Sequence, residues 1–249
     1  MSPFKRGTGA VGNAIGQLLF PPVCPGCQAA VTGVDTVCPA CWAKLRFIER
    51  PYCEVLGLPF AYDLGEGFLS AEAIADPPPF ARLRAAVIYQ DLAARLVTAL
   101  KYGDRIDLAP LMAGWMARSG AELLSDADVV VPVPLHAGRL WRRRFNQSAE
   151  IARLLARNAD IAFAPLALRR VKPTRSQVGL GSRQRRDNVR GAFRVIDTRR
   201  VEIEGRRVLL VDDVYTTGAT AASATRALKR AGARDVDVLT FARVAAGME

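Results

Sequence analysis

One run of thirteen residues constrains the fold of this chain more than any other feature: Val208-Leu-Leu-Val-Asp212-Asp213-Val-Tyr-Thr216-Thr217-Gly218-Ala219-Thr220. Its apolar start reads as a strand buried on both faces, and the strand ends in two adjacent carboxylates. A short Thr-Thr-Gly-Ala-Thr turn then opens a segment with helical spacing. A buried strand feeding a helix through a tight turn is the repeating unit of α/β sheets, which bind ligands beyond the carboxyl ends of their strands. The helix N-terminus offers hydroxyls and, at Gly218, an unhindered backbone to a single phosphate. Asp212 and Asp213 can take sugar hydroxyls or help to hold a hard cation such as Mg²⁺. Simpler readings exist for the parts: a Walker-B-like strand end or a plain turn for the carboxylates, and helix capping for the threonines. Neither accounts for the whole run.

The flanking pattern agrees with this unit. Leu83, Ala85, Val87 and Tyr89 alternate as a half-buried strand. Leu92, Leu96, Val97 and Leu100 recur at helical spacing over 91–102, and a further helix is expected over 107–118. Residues 128–134 form a short apolar run typical of a buried parallel strand, followed by a helix over 145–157. After the strand at 206–212, a helix over 218–232 is closed by glycine, and 235–244 is a third buried strand. The alternation predicts a parallel sheet flanked by helices over residues 82–249. Residues 1–60 lack such periodicity and form an N-terminal module; residues 61–81, ending in Asp76-Pro-Pro-Pro79, read as a loop-like linker or hood.

The N-terminal module is defined by cysteines. Cys24-Pro-Gly-Cys27 and Cys38-Pro-Ala-Cys41 are two C-x₂-C knuckles. Four thiolates so arranged suit tetrahedral zinc and leave no open coordination position, so the metal is structural. A disulfide framework fits poorly with x₂ spacing and five cysteines in all. The fifth, Cys53, begins what looks like a further knuckle that lacks its second cysteine; as a small buried hydrophobe it is adequately explained.

Charge is unevenly distributed. The chain carries 35 Lys and Arg against 24 Asp and Glu, net +11, whereas Arg139–Arg207 alone holds 19 basic and 6 acidic residues. A local excess of this size implies an anionic partner (polyphosphate, nucleic acid or a membrane surface) unless it is only a solvated basic face. Its aromatics are few (among them Trp141, Phe145 and Phe193), so stacking platforms for single strands are sparse. Gly7-Thr-Gly9-Ala-Val-Gly12 matches a dinucleotide-binding pattern but follows no strand and runs into the cysteine module, so that reading fails. No P-loop is present. The N-terminal segment reads as amphipathic rather than as a signal peptide, and no apolar run reaches membrane-spanning length, so a cytoplasmic location is expected.

The thirteen-residue run resembles the phosphoribosyl diphosphate (PRPP) signature of type I phosphoribosyltransferases. Over nearly its full length the chain resembles the ComF competence-protein family, described as double-zinc-ribbon, amidophosphoribosyltransferase-like proteins. The shared segments are the knuckles, Leu100-Lys-Tyr-Gly-Asp104, Val131-Pro-Val-Pro-Leu135, Arg142-Arg-Arg-Arg-Phe-Asn-Gln147, Gln177-Val-Gly-Leu180 and Arg186-Asp-Asn-Val-Arg-Gly-Ala-Phe193. Arg144 departs from the glycine that the family usually carries there, and the knuckle at Cys53 is incomplete.

The resemblance implies a type I phosphoribosyltransferase fold with an N-terminal zinc ribbon. It implies that Asp212 and Asp213 hold the ribose hydroxyls and that Thr216, Thr217, Gly218, Ala219 and Thr220 cradle the 5′-phosphate. Leu135, His136, Ala137, Gly138 and Arg139 would form the diphosphate loop. Residues 172–190, with Arg175, Gln177, Arg183, Arg186 and Asn188, would close over the reaction centre and exclude water. The implied reaction displaces diphosphate from C1 of PRPP with Mg²⁺, by positioning and electrostatics rather than a dedicated base. The acceptor is not specified. Two other functions fit: a DNA-uptake accessory that binds single-stranded DNA alongside the competence machinery, and a regulator that binds PRPP without chemistry. A glutaminase is not expected, because the N-terminal cysteines are committed to metal.

Overall fold

The computed structural model describes residues 21–63, 65, 67–103, 105–135, 145–172 and 191–245. The helices are α1 (Pro39–Trp42), α2 (Ala71–Ala75), α3 (Asp91–Tyr102), α4 (Ala109–Ser119), α5 (Ala121–Asp126), α6 (Gln147–Ala159) and α7 (Ala219–Arg230). The strands are β1 (Leu83–Ile88), β2 (Val129–Pro132), β3 (Ala162–Phe163), β4 (Leu168–Arg170), β5 (Phe193–Val195), β6 (Arg207–Tyr215) and β7 (Asp235–Arg243). Five of them form one sheet in the order β1-β7-β6-β2-β3, with every pair parallel. β4 and β5 make a separate antiparallel ribbon.

Apolar runs such as Val129-Val-Val131 and Val208-Leu-Leu-Val211 occupy the middle of the sheet because both of their faces are covered. Alternate residues supply two cores. Val130, Leu209, Val211, Leu239 and Phe241 pack with α3, α4 and α6, while Val129, Val131, Val208, Leu210 and Val238 pack with α7 and the β4–β5 ribbon. The helices that follow the neighbouring strands β2 and β6 therefore lie on opposite faces of the sheet. That divergence opens a crevice at the carboxyl ends of β2 and β6, the position where α/β sheets bind ligands.

The observed elements extend the sequence reading at three points. β6 continues to Tyr215 because Val214 and Tyr215 pair with Ala242 and Arg243 of β7. The stretch 61–79 is not all loop, since Ser70 caps α2 by accepting a hydrogen bond from the Ala73 N–H. The helix expected over 107–118 starts as a 3₁₀ turn, Ile106–Leu108, before α4 with Pro110 in its first turn. The short elements α5, β4 and β5 had no periodic signature.

An ion-pair cluster ties the amino ends of the strands together. Asp237, 1% exposed, accepts from Arg82 Nη2 at 2.8 Å and from Arg207 Nε at 2.8 Å. Burial pushes its carboxyl pKa up, but the two guanidiniums outweigh that and hold it below the usual carboxylate value. A depressed pKa stabilises the fold above the unfolded value of about 4 and loses that contribution as pH falls through the native value. Asp237→Asn is expected to lower stability at pH 7 by about 2 kcal/mol, given that Arg82 and Arg207 are partly exposed. Urea denaturation checks this, and the gap to the wild type should narrow as pH drops below about 4.

Candidate functional site

The crevice is built around Asp212 and Asp213. The last pairing of β2 is Pro132 with Val211, so Asp212 is the first residue of β6 to pass beyond β2. Asp212 is half-buried and Asp213 buried. Asp212 Oδ1 accepts from the Ser148 hydroxyl at 3.0 Å and from the Asp213 N–H at 2.9 Å. Asp213 Oδ1 lies 2.9 Å from Lys101 Nζ. Lys101 comes from the end of α3 and Ser148 from the first turn of α6, so two further strand–helix units converge on the pair.

Electrostatics distinguish these groups. Burial first, and the neighbouring Asp213 carboxylate second, raise the Asp212 carboxyl to about 7 against the opposing pull of Lys101, the Asp213 N–H and Ser148. Burial works against the Lys101 charge, yet Asp213 and then Asp212 more than offset it, so its pKa is raised. The site thus holds one strongly paired carboxylate beside one whose charge is costly until a cation or donor arrives.

The turn after β6 supplies the donors. Thr216 and Thr217 lead to Gly218, the N-cap of α7, at φ +73° and ψ −3°. A Cβ at Gly218 would lie 2.8 Å from Cζ of Tyr215, so both the left-handed backbone and the close approach require glycine. Ala219 and Thr220 form the first turn of α7, and the Thr217 hydroxyl is buried without a partner among the described residues. A cleft of about 570 Å³ runs beside this turn, between Pro77–Phe80 and the Arg226 and Arg230 side of α7; it does not include Asp212 or Asp213. Burial pushes the Tyr215 phenol up to about 12. Phe80 meets the Tyr215 ring edge-on, and the guanidinium of Arg243 lies over that ring.

Leu135 follows β2 at the mouth of the crevice, half-buried. Asn146 Nδ2 donates to the Val133 carbonyl at 3.1 Å and so fixes the start of that loop. His136, Ala137, Gly138, Arg139 and Arg144, together with Arg175, Gln177, Arg183, Arg186 and Asn188, lie outside the described residues. Lys101, Ser148 and Asn146 were given no role in the sequence reading. Lys101 and Asn146 lie inside segments that carry the family resemblance, whereas Ser148 has only its position in the first turn of α6.

The cysteine module forms a second centre. The sulfurs of Cys24, Cys27, Cys38 and Cys41 all lie within 4.8 Å of one another. A zinc–sulfur bond of ~2.3 Å sets tetrahedral sulfurs about 3.8 Å apart, so the four fit zinc. Burial disfavours the Cys24 thiolate, but the N–H groups of Cys38, Gly26 and Cys27 bring it down to about 6. Burial and the surrounding thiols push Cys41 up to about 12. Thiols this close need a cation among them to ionise together. Among the described residues no helix is long and apolar enough to cross a membrane.

Comparison with known proteins matches both centres. The double zinc ribbon domain family matches residues 15–73, and the phosphoribosyl transferase domain family matches residues 146–249. DNA utilization protein YhgH of Salmonella typhimurium is 32% identical over 227 residues, 89% of this chain and 90% of that protein. Competence protein F of Haemophilus influenzae is 38% identical over 116 residues, 47% of this chain and 50% of that protein. Competence protein ComFC of Bacillus subtilis is 25% identical over 213 residues, 84% of this chain and 85% of that protein.

A raised carboxyl pKa has a stability signature. The folded state retains the Asp212 proton between about 4 and about 7, so stability falls as pH rises through that window. Asp212→Asn removes the cost of ionisation. Its thermal midpoint should exceed that of the wild type at pH 8, with the difference much smaller at pH 4. Scanning calorimetry at the two pH values checks this.

Proposed function

The chain belongs to the family of DNA-utilization and competence proteins that join a double zinc ribbon to a phosphoribosyl transferase domain, and on that premise we propose that its β2–β6 crevice binds PRPP and transfers the phosphoribosyl group. The observation that carries this reading is the pairing of Asp212 and Asp213, first beyond the end of β2, with the glycine turn that opens α7. In this reading the carboxylates take the ribose 2′- and 3′-hydroxyls. The backbone N–H groups and hydroxyls of Thr216, Thr217, Gly218, Ala219 and Thr220 take the 5′-phosphate. Leu135 to Arg139 take the diphosphate, and residues 172–190 exclude water.

The reaction forms a bond from an acceptor nucleophile to C1 while the C1–oxygen bond breaks, and its electron pair leaves with diphosphate. The transition state is sugar-cation-like, so the protein's work is positioning and charge placement. Mg²⁺ suits the site because two adjacent carboxylates are hard oxygen donors; Asp212 and Asp213 would hold it together with oxygens of the ligand, and it would neutralise the leaving diphosphate. Lys101 pairs with Asp213 and orients it. Zinc in the four-cysteine cluster secures the ribbon and takes no part in the transfer. Reduced thiols there fit a reducing compartment, so this reading places the protein in the cytoplasm.

A second role is compatible with the first. Relatives are named for DNA utilization and competence, and the stretch Arg139–Arg207 is strongly basic, which supports binding of single-stranded DNA during uptake. Fluorescence anisotropy with a single-stranded oligonucleotide tests this role. Affinity that falls steeply and log-linearly with salt supports it; binding absent at low salt removes it.

The transferase reading is tested by calorimetric titration with PRPP, with and without Mg²⁺. Magnesium-dependent binding by the wild type should be abolished in the Asp212→Asn/Asp213→Asn double variant, with zinc content unchanged. No binding at about millimolar PRPP, or binding retained by the double variant, contradicts the assignment.

A further inference from the structure

The residues after the zinc cluster repeat its backbone pattern without its ligands. In the first knuckle the Cys24 N–H donates to Ala29 O at 2.8 Å, the Gln28 N–H donates to Cys24 O at 2.8 Å, and Val23 bridges Ala30. At the same offsets the Cys53 N–H donates to Leu58 O at 2.8 Å, the Gly57 N–H donates to Cys53 O at 2.7 Å, and Tyr52 bridges Pro59. Gln28 and Gly57 both adopt positive φ, +65° and +56°.

The partner half of each ribbon repeats too. Cys38 is the N-cap of α1 and its N–H donates to Cys24 Sγ at 3.4 Å. Ser70 is the N-cap of α2 and its N–H donates to Cys53 Sγ at 3.2 Å. The spacing from cap to the fourth position is three residues in both, Cys38 to Cys41 and Ser70 to Ala73. Cys53, Leu56, Ser70 and Ala73 thus stand where Cys24, Cys27, Cys38 and Cys41 stand.

We infer that residues 52–73 are a second ribbon that holds its fold without metal, so that the chain carries one structural zinc although the family it matches is a double zinc ribbon. The donor set does not fit zinc. Leu56 and Ala73 offer no ligand atom, and the Ser70 hydroxyl is already engaged by the Ala73 N–H at 3.3 Å. One thiol and one hydroxyl cannot complete a tetrahedral site.

Packing and two arginines replace the metal. Cys53, Leu56, Ser70 and Ala73 are all buried, at 0, 3, 6 and 4% exposure, and the three apolar ones join a core with Phe80 and Leu83. The Cys53 sulfur accepts the Leu56 N–H at 3.4 Å as well as that of Ser70, which ties the knuckle to the helix as a metal would. From β1, Arg84 donates to the Glu54 carbonyl at 2.8 Å and to its carboxylate at 3.0 Å. From β7, Arg243 donates to the Leu56 carbonyl. The Glu54 and Leu56 carbonyls of the knuckle are therefore satisfied by the sheet domain. Arg243 also packs over Tyr215, the ring that lies against Gly218, so this ribbon is coupled to the turn that opens α7.

The two ribbons belong to different cores, Cys24 and Cys41 to one and Cys53 and Leu56 to the other. Their responses to chelation should therefore separate. Metal analysis of the wild-type chain should find about one zinc per molecule, and Leu56→Cys/Ser70→Cys/Ala73→Cys should raise it to about two. Two zincs in the wild type, or a folded triple variant that still holds one, overturns the inference. Hydrogen exchange on the wild type decides the matter even if the triple variant does not fold. After chelation, residues 22–45 should lose protection while 52–60 keep it; loss in both segments contradicts a metal-free ribbon.

Discussion

Two adjacent carboxylates on the central strand pose an electrostatic problem that organises the molecule. Asp212 and Asp213 sit side by side at the end of a sheet covered on both faces, where like charges repel strongly and water is scarce. The fold answers with Lys101 from α3, Ser148 from α6 and the backbone N–H of Asp213 itself. Each answer comes from a different strand–helix unit, so the pair requires β1–α3, β2–α6 and β6–α7 to be assembled together. The incomplete compensation of Asp212 is the remaining strain. A ligand bringing hydroxyl donors and a divalent cation would relieve it, which links the cost built into the crevice to the chemistry proposed for it.

The N-terminal module shows two ways of stabilising one small motif. A ribbon of some twenty residues cannot bury enough apolar surface to fold by itself. The first ribbon solves this with four thiolates suited to one cation. The second solves it by leaning on the sheet domain, whose buried Arg84 spans Glu54, Glu122 and two carbonyls. The consequence reaches the turn that opens α7, because Pro77–Phe80, which follow the second ribbon, wall the cleft beside it.

Much of this architecture was legible in the sequence because it rests on local pattern. Continuous apolar runs revealed β2, β6 and β7, and the spacing of Leu92, Leu96, Val97 and Leu100 matched α3 to the residue. The paired knuckles revealed the sulfur cluster. What escaped was whatever a distant partner decides. β6 outruns its apolar stretch because β7 is there to pair with Val214 and Tyr215. Ser148 looks like an ordinary helix-end residue, and Lys101, though inside a shared family segment, shows no role until β6 lies beside it. Cys53 reads as a broken knuckle, and nothing in Leu56, Ser70 or Ala73 marks them as the rest of a ribbon, because the substitutes for ligands are apolar or backbone groups.

The central claim is that the β2–β6 crevice is a site for a phosphorylated ribose, and a crystal structure of the chain grown with PRPP and Mg²⁺ tests it most directly. The account predicts the 5′-phosphate on the backbone N–H groups of the turn from Thr216 to Thr220 and the ribose hydroxyls against Asp212 and Asp213. A ligand seated instead against Arg226 and Arg230, or PRPP bound elsewhere with no contact to Asp212 and Asp213, would contradict it.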